Sequence, residues 1–224
     1  VLGLELTATP QVISGKKVIP FKNVVIDYPL ALSIKDGYTR TPYALTRNNI
    51  EQYKWGDEQL DKIMINDGLH WHEHMKKVLK DYADRTGNHY VKPFMLVVCQ
   101  NIDHANSVLS FIKSDECLGG KYKSQVIEID SGKGAVEKDE NVQLLLNVER
   151  ADNPVEIIVH VNMLKEGWDV NNLYTIVPLR SAYSRTLVEQ TIGRGLRLPY
   201  GKRTGEKEID SVTMTAHANF TNVI

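Results

Sequence analysis

The chain has 224 residues, 42% apolar and 25% charged, with 27 Lys and Arg against 28 Asp and Glu and a formal net charge of −1. That length and apolar content suit one substantial α/β domain with extra segments, and the near-neutral balance excludes a globally basic nucleic-acid binder. Two cysteines, Cys99 and Cys117, exclude a disulfide scaffold and are expected to be reduced in a cytoplasmic protein. No apolar run approaches the roughly 20 residues that span a bilayer, so no membrane partner is expected. The chain begins at Val1 rather than methionine and is expected to be a piece of something longer.

Residues Val1 to Pro10 alternate apolar positions and end in Thr7-Ala-Thr-Pro10, a short strand stopped by proline. Gln11 to Pro42 reads as a connector punctuated by Gly15, Pro20, Pro29, Gly37 and Pro42. From Asp57 to Thr86 the residues Leu60, Ile63, Met64, Trp71, Met75, Val78, Leu79 and Tyr82 recur at helical spacing, and Gly87 is the stop. After Pro93, strands and helices alternate. Phe94 to Cys99 is a buried strand, and Asp103 is expected to cap a helix with Ala105, Val108, Leu109 and Ile112 inward. Gln125 to Ile129 is a second strand, followed by a helix from Val136 to Val148 with Val142, Leu145, Leu146 and Val148 inward. Ile157 to Val161 and Tyr174 to Val177 are further strands, Ser184 to Gln190 leads a helix, and Ser211 to Ala216 is the last strand. Short apolar strands between helices predict a parallel sheet covered on both faces.

Charge is not spread evenly. Arg180 to Lys207 carries seven Lys or Arg against two Glu, which fits a phosphate-facing surface; the plainer alternative is a solvated loop. Within it, Gln190 to Arg197 reads Q-T-I-G-R-G-L-R. Arg194 and Arg197 lie three apart, so a helical or turn backbone puts both on one side. A guanidinium fork suits the charge that gathers on a transferring phosphoryl group, whereas the plainer alternative is two surface arginines. Upstream, the strand Ile157 to Val161 leads into Asn162-Met-Leu-Lys-Glu-Gly-Trp-Asp169.

These two stretches resemble motifs V and VI of superfamily 2 helicases and DNA translocases, and Thr7-Ala-Thr-Pro10 resembles motif III. Leu164-Lys-Glu-Gly-Trp-Asp-Val170, Val177-Pro-Leu-Arg180 and Gln190-Thr-Ile-Gly-Arg-Gly-Leu-Arg-Leu-Pro-Tyr-Gly201 most resemble the ATP-driven motor (Res) subunit of type III restriction enzymes. The resemblance implies an α/β, RecA-like three-layer domain with a mostly parallel sheet, plus an N-terminal linker and a helical insertion. Residues 1–30 would be the end of the first motor lobe and linker, 31–92 a connector and helical segment, and 93–224 the second RecA-like domain.

The resemblance also implies roles. Arg194 and Arg197 would be arginine fingers reaching ATP on the other lobe, and Gln190 would touch the nucleotide or the lobe interface. Gly193 and Gly195 would let the backbone run close to the partner lobe. Gly167 would allow a tight turn, and Asp169 would accept from the ribose or orient a finger arginine; its plainer alternative is an acidic cap. One departure stands out: Val161 occupies the place where many members have a threonine that touches a DNA phosphate, leaving Asn162 as the candidate substitute. Gln100 and Asn101 are read either as DNA-backbone contacts or as caps of the following helix. Arg180 and Arg185 either bind phosphate or pair with carboxylates such as Glu189.

The implied ligands are DNA, ATP and Mg2+, the last two bound mainly by a first lobe outside this chain. The implied partners are that lobe, a nuclease domain and a methyltransferase subunit. The chain has no G-x-x-x-x-G-K-[ST] and no D-E-x-H, and Ser131-Gly-Lys-Gly134 reads as a turn. The isolated chain is therefore expected to be inactive. Asp210 has no acidic-x-Lys partner downstream, so no nuclease of the PD-(D/E)xK kind is expected within these residues. The rivals are another superfamily 2 motor acting on DNA or RNA, and a binding module that keeps only the fold. The run His70-Trp-His-Glu-His74 lacks the H-E-x-x-H spacing of a zinc site; its histidines are expected to be solvated or helix-capping.

Overall fold

Two short strands, β1 (Gln11–Ser14) and β2 (Lys17–Pro20), pair antiparallel with Ser14 opposite Lys17. They belong with helix α1 (Leu30–Lys35) to a first unit, Val1–Asp36, and the rest of the chain forms a second, Gly37–Ile224. The computed structural model describes residues 11–14, 17–47, 53–54, 56–129, 135–161, 169–179 and 192–215. The stretch expected to be a plain connector thus carries a hairpin and a helix. The Thr7-Ala-Thr-Pro10 motif lies outside the described residues.

The second unit runs β3 (Thr41–Leu45), α2 (Glu58–Thr86), β4 (Phe94–Cys99), α3 (Ile102–Lys113), β5 (Val126–Ile129), α4 (Ala135–Leu146), β6 (Ile157–Val161), β7 (Leu173–Pro178) and β8 (Ser211–Thr215). Six strands form one sheet in the order β3-β8-β7-β4-β6-β5, and every pairing is parallel. β4, β6, β7 and β8 are buried at every position, as strands covered on both faces must be. Pro42 sits in β3, an edge strand, where a missing N–H need not cost a ladder bond.

Strand alternation sorts the core into two layers. Met95, Val97, Ile157, Val159 and Val177 pack with Leu60, Met64 and Leu69 of α2 and with Ala105, Val108 and Ile112 of α3. On the opposite face, Leu96, Val98, Ile158, Ile176, Val212 and Met214 pack with Leu145, Val148, Ile192 and Leu196. Each such fully buried aliphatic side chain contributes about 1.5–3 kcal/mol. This is the RecA-like three-layer arrangement that the sequence implied. A register shift between Phe94 and Met95 pairs them with Leu173 and Thr175, leaving Tyr174 as the extra residue of a bulge in β7.

Helix α2 starts where expected: the Asp57 carboxylate accepts from Gln59 N at 2.9 Å, and Gly87 ends it at φ 73°. Gly68 explains how so long a helix lies flat on the sheet. A Cβ there would fall 2.5 Å from Val177 Cγ2 and 3.1 Å from Met95 Sδ. Helix α3 is capped by Asn101, whose side chain accepts from His104 N at 2.9 Å, not by Asp103. Leu145 in α4 and Val148 just beyond it are buried as expected, whereas Leu146, also expected inward, is exposed.

Both cysteines are buried and free. Burial pushes the Cys99 thiol up to about 12, with the charges of Asp61 and Glu128 adding to it, and pushes Cys117 up to about 11 with help from Glu116. Thiolate is the reactive form. At pH 8 the native chain is expected to resist iodoacetamide, and both residues to alkylate after unfolding in guanidinium. Rapid alkylation of either in the native state, read by mass spectrometry, would contradict this burial.

Candidate functional site

The stretch after β7 returns to the sheet at residues 192–195, which are helical. Ile192 and Leu196, one turn apart, are buried against Val212 and Leu173. With that side apolar, Arg194 and Arg197 leave from the other. Arg194 is half-buried and Arg197 exposed. Arg197 Nε donates to Asp169 Oδ1 at 2.6 Å, and both side chains remain open to solvent, 47% and 66% exposed. A pair that exposed is worth at most about 1 kcal/mol, so a phosphate could displace the carboxylate. Burial lowers the Arg194 guanidinium from its usual range, the neighbouring Arg197 charge lowers it further, and Asp169 opposes both. Three residues singled out from two motifs thus meet in one cluster.

Gly195 is tightly placed, because a Cβ there would fall 2.6 Å from Val212 Cγ2 of β8. The close approach of Gly195 within this chain is to its own sheet. Gly193 is exposed and a Cβ would meet nothing within 4 Å. Gln190, Gly167, Asn162, Arg180 and Arg185 lie outside the described residues.

The cluster sits at the amino ends of the strands. Arg40, just ahead of β3, donates its backbone N–H to Leu196 O at 2.7 Å. Its guanidinium donates to Ser211 O at 3.3 Å, Asn171 O at 3.4 Å and Leu173 O at 2.6 Å, where β8 and β7 begin. Gln100 and Asn101 follow the carboxyl end of β4 and so stand at the opposite end of this parallel sheet. Gln100 Nε2 donates to Leu179 O at 3.2 Å, and the capping alternative holds for Asn101. Gln100 N–H donates to His104 Nδ1 at 3.2 Å, which leaves His104 Nε2–H to donate to buried Asp61 at 2.8 Å. This pair fixes the turn that carries Gln100.

One expectation about the histidine run is overturned. His70 and His74 are exposed, but His72 is fully buried. Its Nε2 lies 3.2 Å from Glu156 Oε2, which also accepts from Lys76 at 2.7 Å. Lys76 pairs on to Glu73 at 3.3 Å, and Glu73 accepts from Tyr122 and pairs with Lys121 at 2.6 Å. The network joins α2 to the start of β6 and to the turn before β5. Sequence could not show it, because Glu156 lies 84 residues from His72. Among the described residues no group of three or more His, Cys, Asp or Glu could hold a metal ion, and no helix is long and apolar enough to cross a membrane.

The family model for the helicase conserved C-terminal domain matches residues 74–199. The chain is 30% identical over 130 residues to the type III restriction-modification enzyme EcoPI Res subunit of Escherichia phage P1, covering 52% of this chain and 13% of that one. It is 38% identical over 78 residues to the EcoP15I Res subunit of Escherichia coli, covering 35% of this chain and 8% of that one. The chain therefore spans a small part of these relatives. In fold it is similar to the fragment structure of a putative HsdR subunit of a type I restriction enzyme from Vibrio vulnificus YJ016. That match has a TM-score of 0.58 and 19% identity, covering 91% of this chain and 37% of that one.

Proposed function

Because this chain belongs to the helicase conserved C-terminal domain family, as the second RecA-like domain of a Res-like helicase, we propose that it is the finger-bearing half of an ATP-dependent DNA translocase of the type III restriction kind. The observation that carries the reading is the cluster of Arg194, Arg197 and Asp169, with Arg197 held at 2.6 Å. In this reading ATP sits on a first lobe that supplies the phosphate loop. Arg194 reaches across to the transferring phosphoryl group, where a fixed guanidinium stabilises the spreading charge. Asp169 holds Arg197 in line until a phosphate replaces it. Gln190, Gly167 and Gly193 would complete the nucleotide-facing wall, and Gln100, Asn162 and Arg180 are candidate DNA contacts, with Asn101 serving as the cap of α3. Magnesium would travel with the ATP phosphates on the first lobe. Residues 1–30 would close that lobe, 31–92 would connect it to the second motor domain while lending β3 and α2 to that domain's sheet and core, and 93–224 would form the rest of that domain, acting with a nuclease domain, a methyltransferase subunit and DNA in the cytoplasm.

The test is ATP turnover by the intact parent with and without double-stranded DNA, beside the isolated 224-residue chain. Stimulated turnover by the parent and none by the chain is expected. Robust hydrolysis by the pure chain would sink the division of labour. A parent that binds DNA but hydrolyses nothing would favour a binding module with a retained motor fold.

A further inference from the structure

Outside every motif lies Arg40, the largest fully buried side chain among the described residues, with no exposed surface. A charge so placed costs desolvation and is retained only where its donors are well used. Burial brings its guanidinium down to about 10, and the neighbouring Tyr174 and Asp210 pull the other way. The guanidinium stacks 4.4 Å from the centre of the Tyr174 ring, the residue that the β7 bulge leaves without a register partner. The Arg40 guanidinium donates to three backbone carbonyls at the amino ends of β7 and β8. Two contacts matter for the cluster described above. Asn171 O is two residues from Asp169, and Leu196 O, taken by the Arg40 backbone, is the neighbour of Arg197. Arg203, beyond the arginine turn, also donates back to Thr39 O at 2.7 Å.

We infer that Arg40 is a positioning residue: a clasp that fixes the Asp169 segment and the Arg197 turn relative to each other, and so sets where the finger arginines stand. The inference rests on the motor reading above. A planar fork reaches carbonyls on two strands while lying on an aromatic face, and a lysine has neither the span nor the plane. The bulge at Tyr174 supplies that face. Arg40 also begins the sheet-bound part of the chain three residues after Gly37, where the second unit starts. A displacement of this entry segment would therefore move both partners of the Arg197 pair together.

The experiment uses the intact parent protein, with Arg40→Lys and Tyr174→Leu alone and each combined with Asp169→Ala. Turnover with DNA is resolved into kcat and KM for ATP, and thermal unfolding is followed beside it. Arg40→Lys is expected to lower kcat about 10-fold or more, as small misplacements of reacting groups do, while KM stays within about twofold. In the Asp169→Ala background that loss is expected to shrink to near nothing, because the clasp then has no pair to set. Tyr174→Leu should behave alike but more mildly. Losses that simply multiply with Asp169→Ala, an unchanged kcat in a folded Arg40→Lys protein, or failure of both variants to fold would each overturn the clasp. Arg194→Ala measured in parallel separates the two ideas: full turnover there overturns the motor reading itself, and the clasp with it.

Discussion

Replacing Arg194 by alanine in the intact parent is expected to reduce DNA-stimulated ATP turnover by about 10³-fold or more, with ATP binding largely kept. Arg194 is half-buried on a turn whose other side is anchored by Ile192 and Leu196, so its stem is held before any nucleotide arrives. Preorganised charge of this kind stabilises a transition state at no cost of reorganisation. Arg197→Ala should also cost turnover, and Asp169→Asn should cost less, because the neutral amide still accepts a hydrogen bond. Arg194→Lys should not restore the rate, since an ammonium lacks the guanidinium's planar fork. Turnover is best read as single-turnover phosphate release at saturating ATP, with nucleotide affinity measured separately. Wild-type rates in Arg194→Ala would remove this cluster from the chemistry.

Replacing Glu156 by alanine is expected to destabilise the fold by about 3 kcal/mol or more, because breaking a buried ion pair strands its partners. Glu156 is 6% exposed and accepts from Lys76, His72 and Gln125. The pH dependence follows from the same network. Burial lowers the His72 imidazole below its ordinary 6.5, the Glu156 and Glu73 charges opposing it, so the fold keeps it neutral. A proton on its Nδ1, which has no hydrogen-bond partner, would be buried unpaired. Burial pushes the Glu156 carboxyl up, but the bonds from His72 and Lys76 outweigh it and leave it lowered. Glu73 is likewise raised by burial and lowered further by Lys121, Tyr122 and Lys76, to about 2.

All three groups bind protons more readily in the unfolded chain. Their stabilisation is present at neutral pH and is lost as acid is added, first below about 6.5 through His72 and then below about 4.5 through the two carboxylates. The unfolding midpoint should therefore fall between pH 7 and pH 5, and fall again toward pH 3. A His72→Phe variant should lose the first limb and keep the second. A midpoint that stays level from pH 7 to pH 4 in the native sequence would rule this account out.

Much of the fold was readable because it depends on neighbours in sequence. The helical period from Leu60 to Tyr82 and the stop at Gly87 predicted α2. Mainly apolar runs predicted the buried strands β4, β6 and β7. The arginine spacing was equally legible: Ile192 and Leu196 point in, so Arg194 and Arg197 leave together. Other features looked ordinary in sequence. Arg40 sat in an apparent connector beside Pro42, yet its guanidinium acceptors are 131 to 171 residues away. His72 looked like one member of a polar run, and Asp103 looked like the cap of a helix that Asn101 caps in the fold.

The amino-acid sequence by itself determined the three-layer α/β class, the strands of the sheet other than β3, the helices that follow Asp57, and the order of motifs that carries the family resemblance. These follow from periodicity and local backbone chemistry, which act over a few residues. Tertiary structure decided the strand order, the bulge that frees Tyr174, the burial of Arg40 and His72, and the meeting of Asp169 with Arg197 away from Gln100 and Asn101. Burial and pairing of a polar group depend on which distant segments surround it. A guanidinium is a surface charge or the clasp of a sheet according to the carbonyls that reach it.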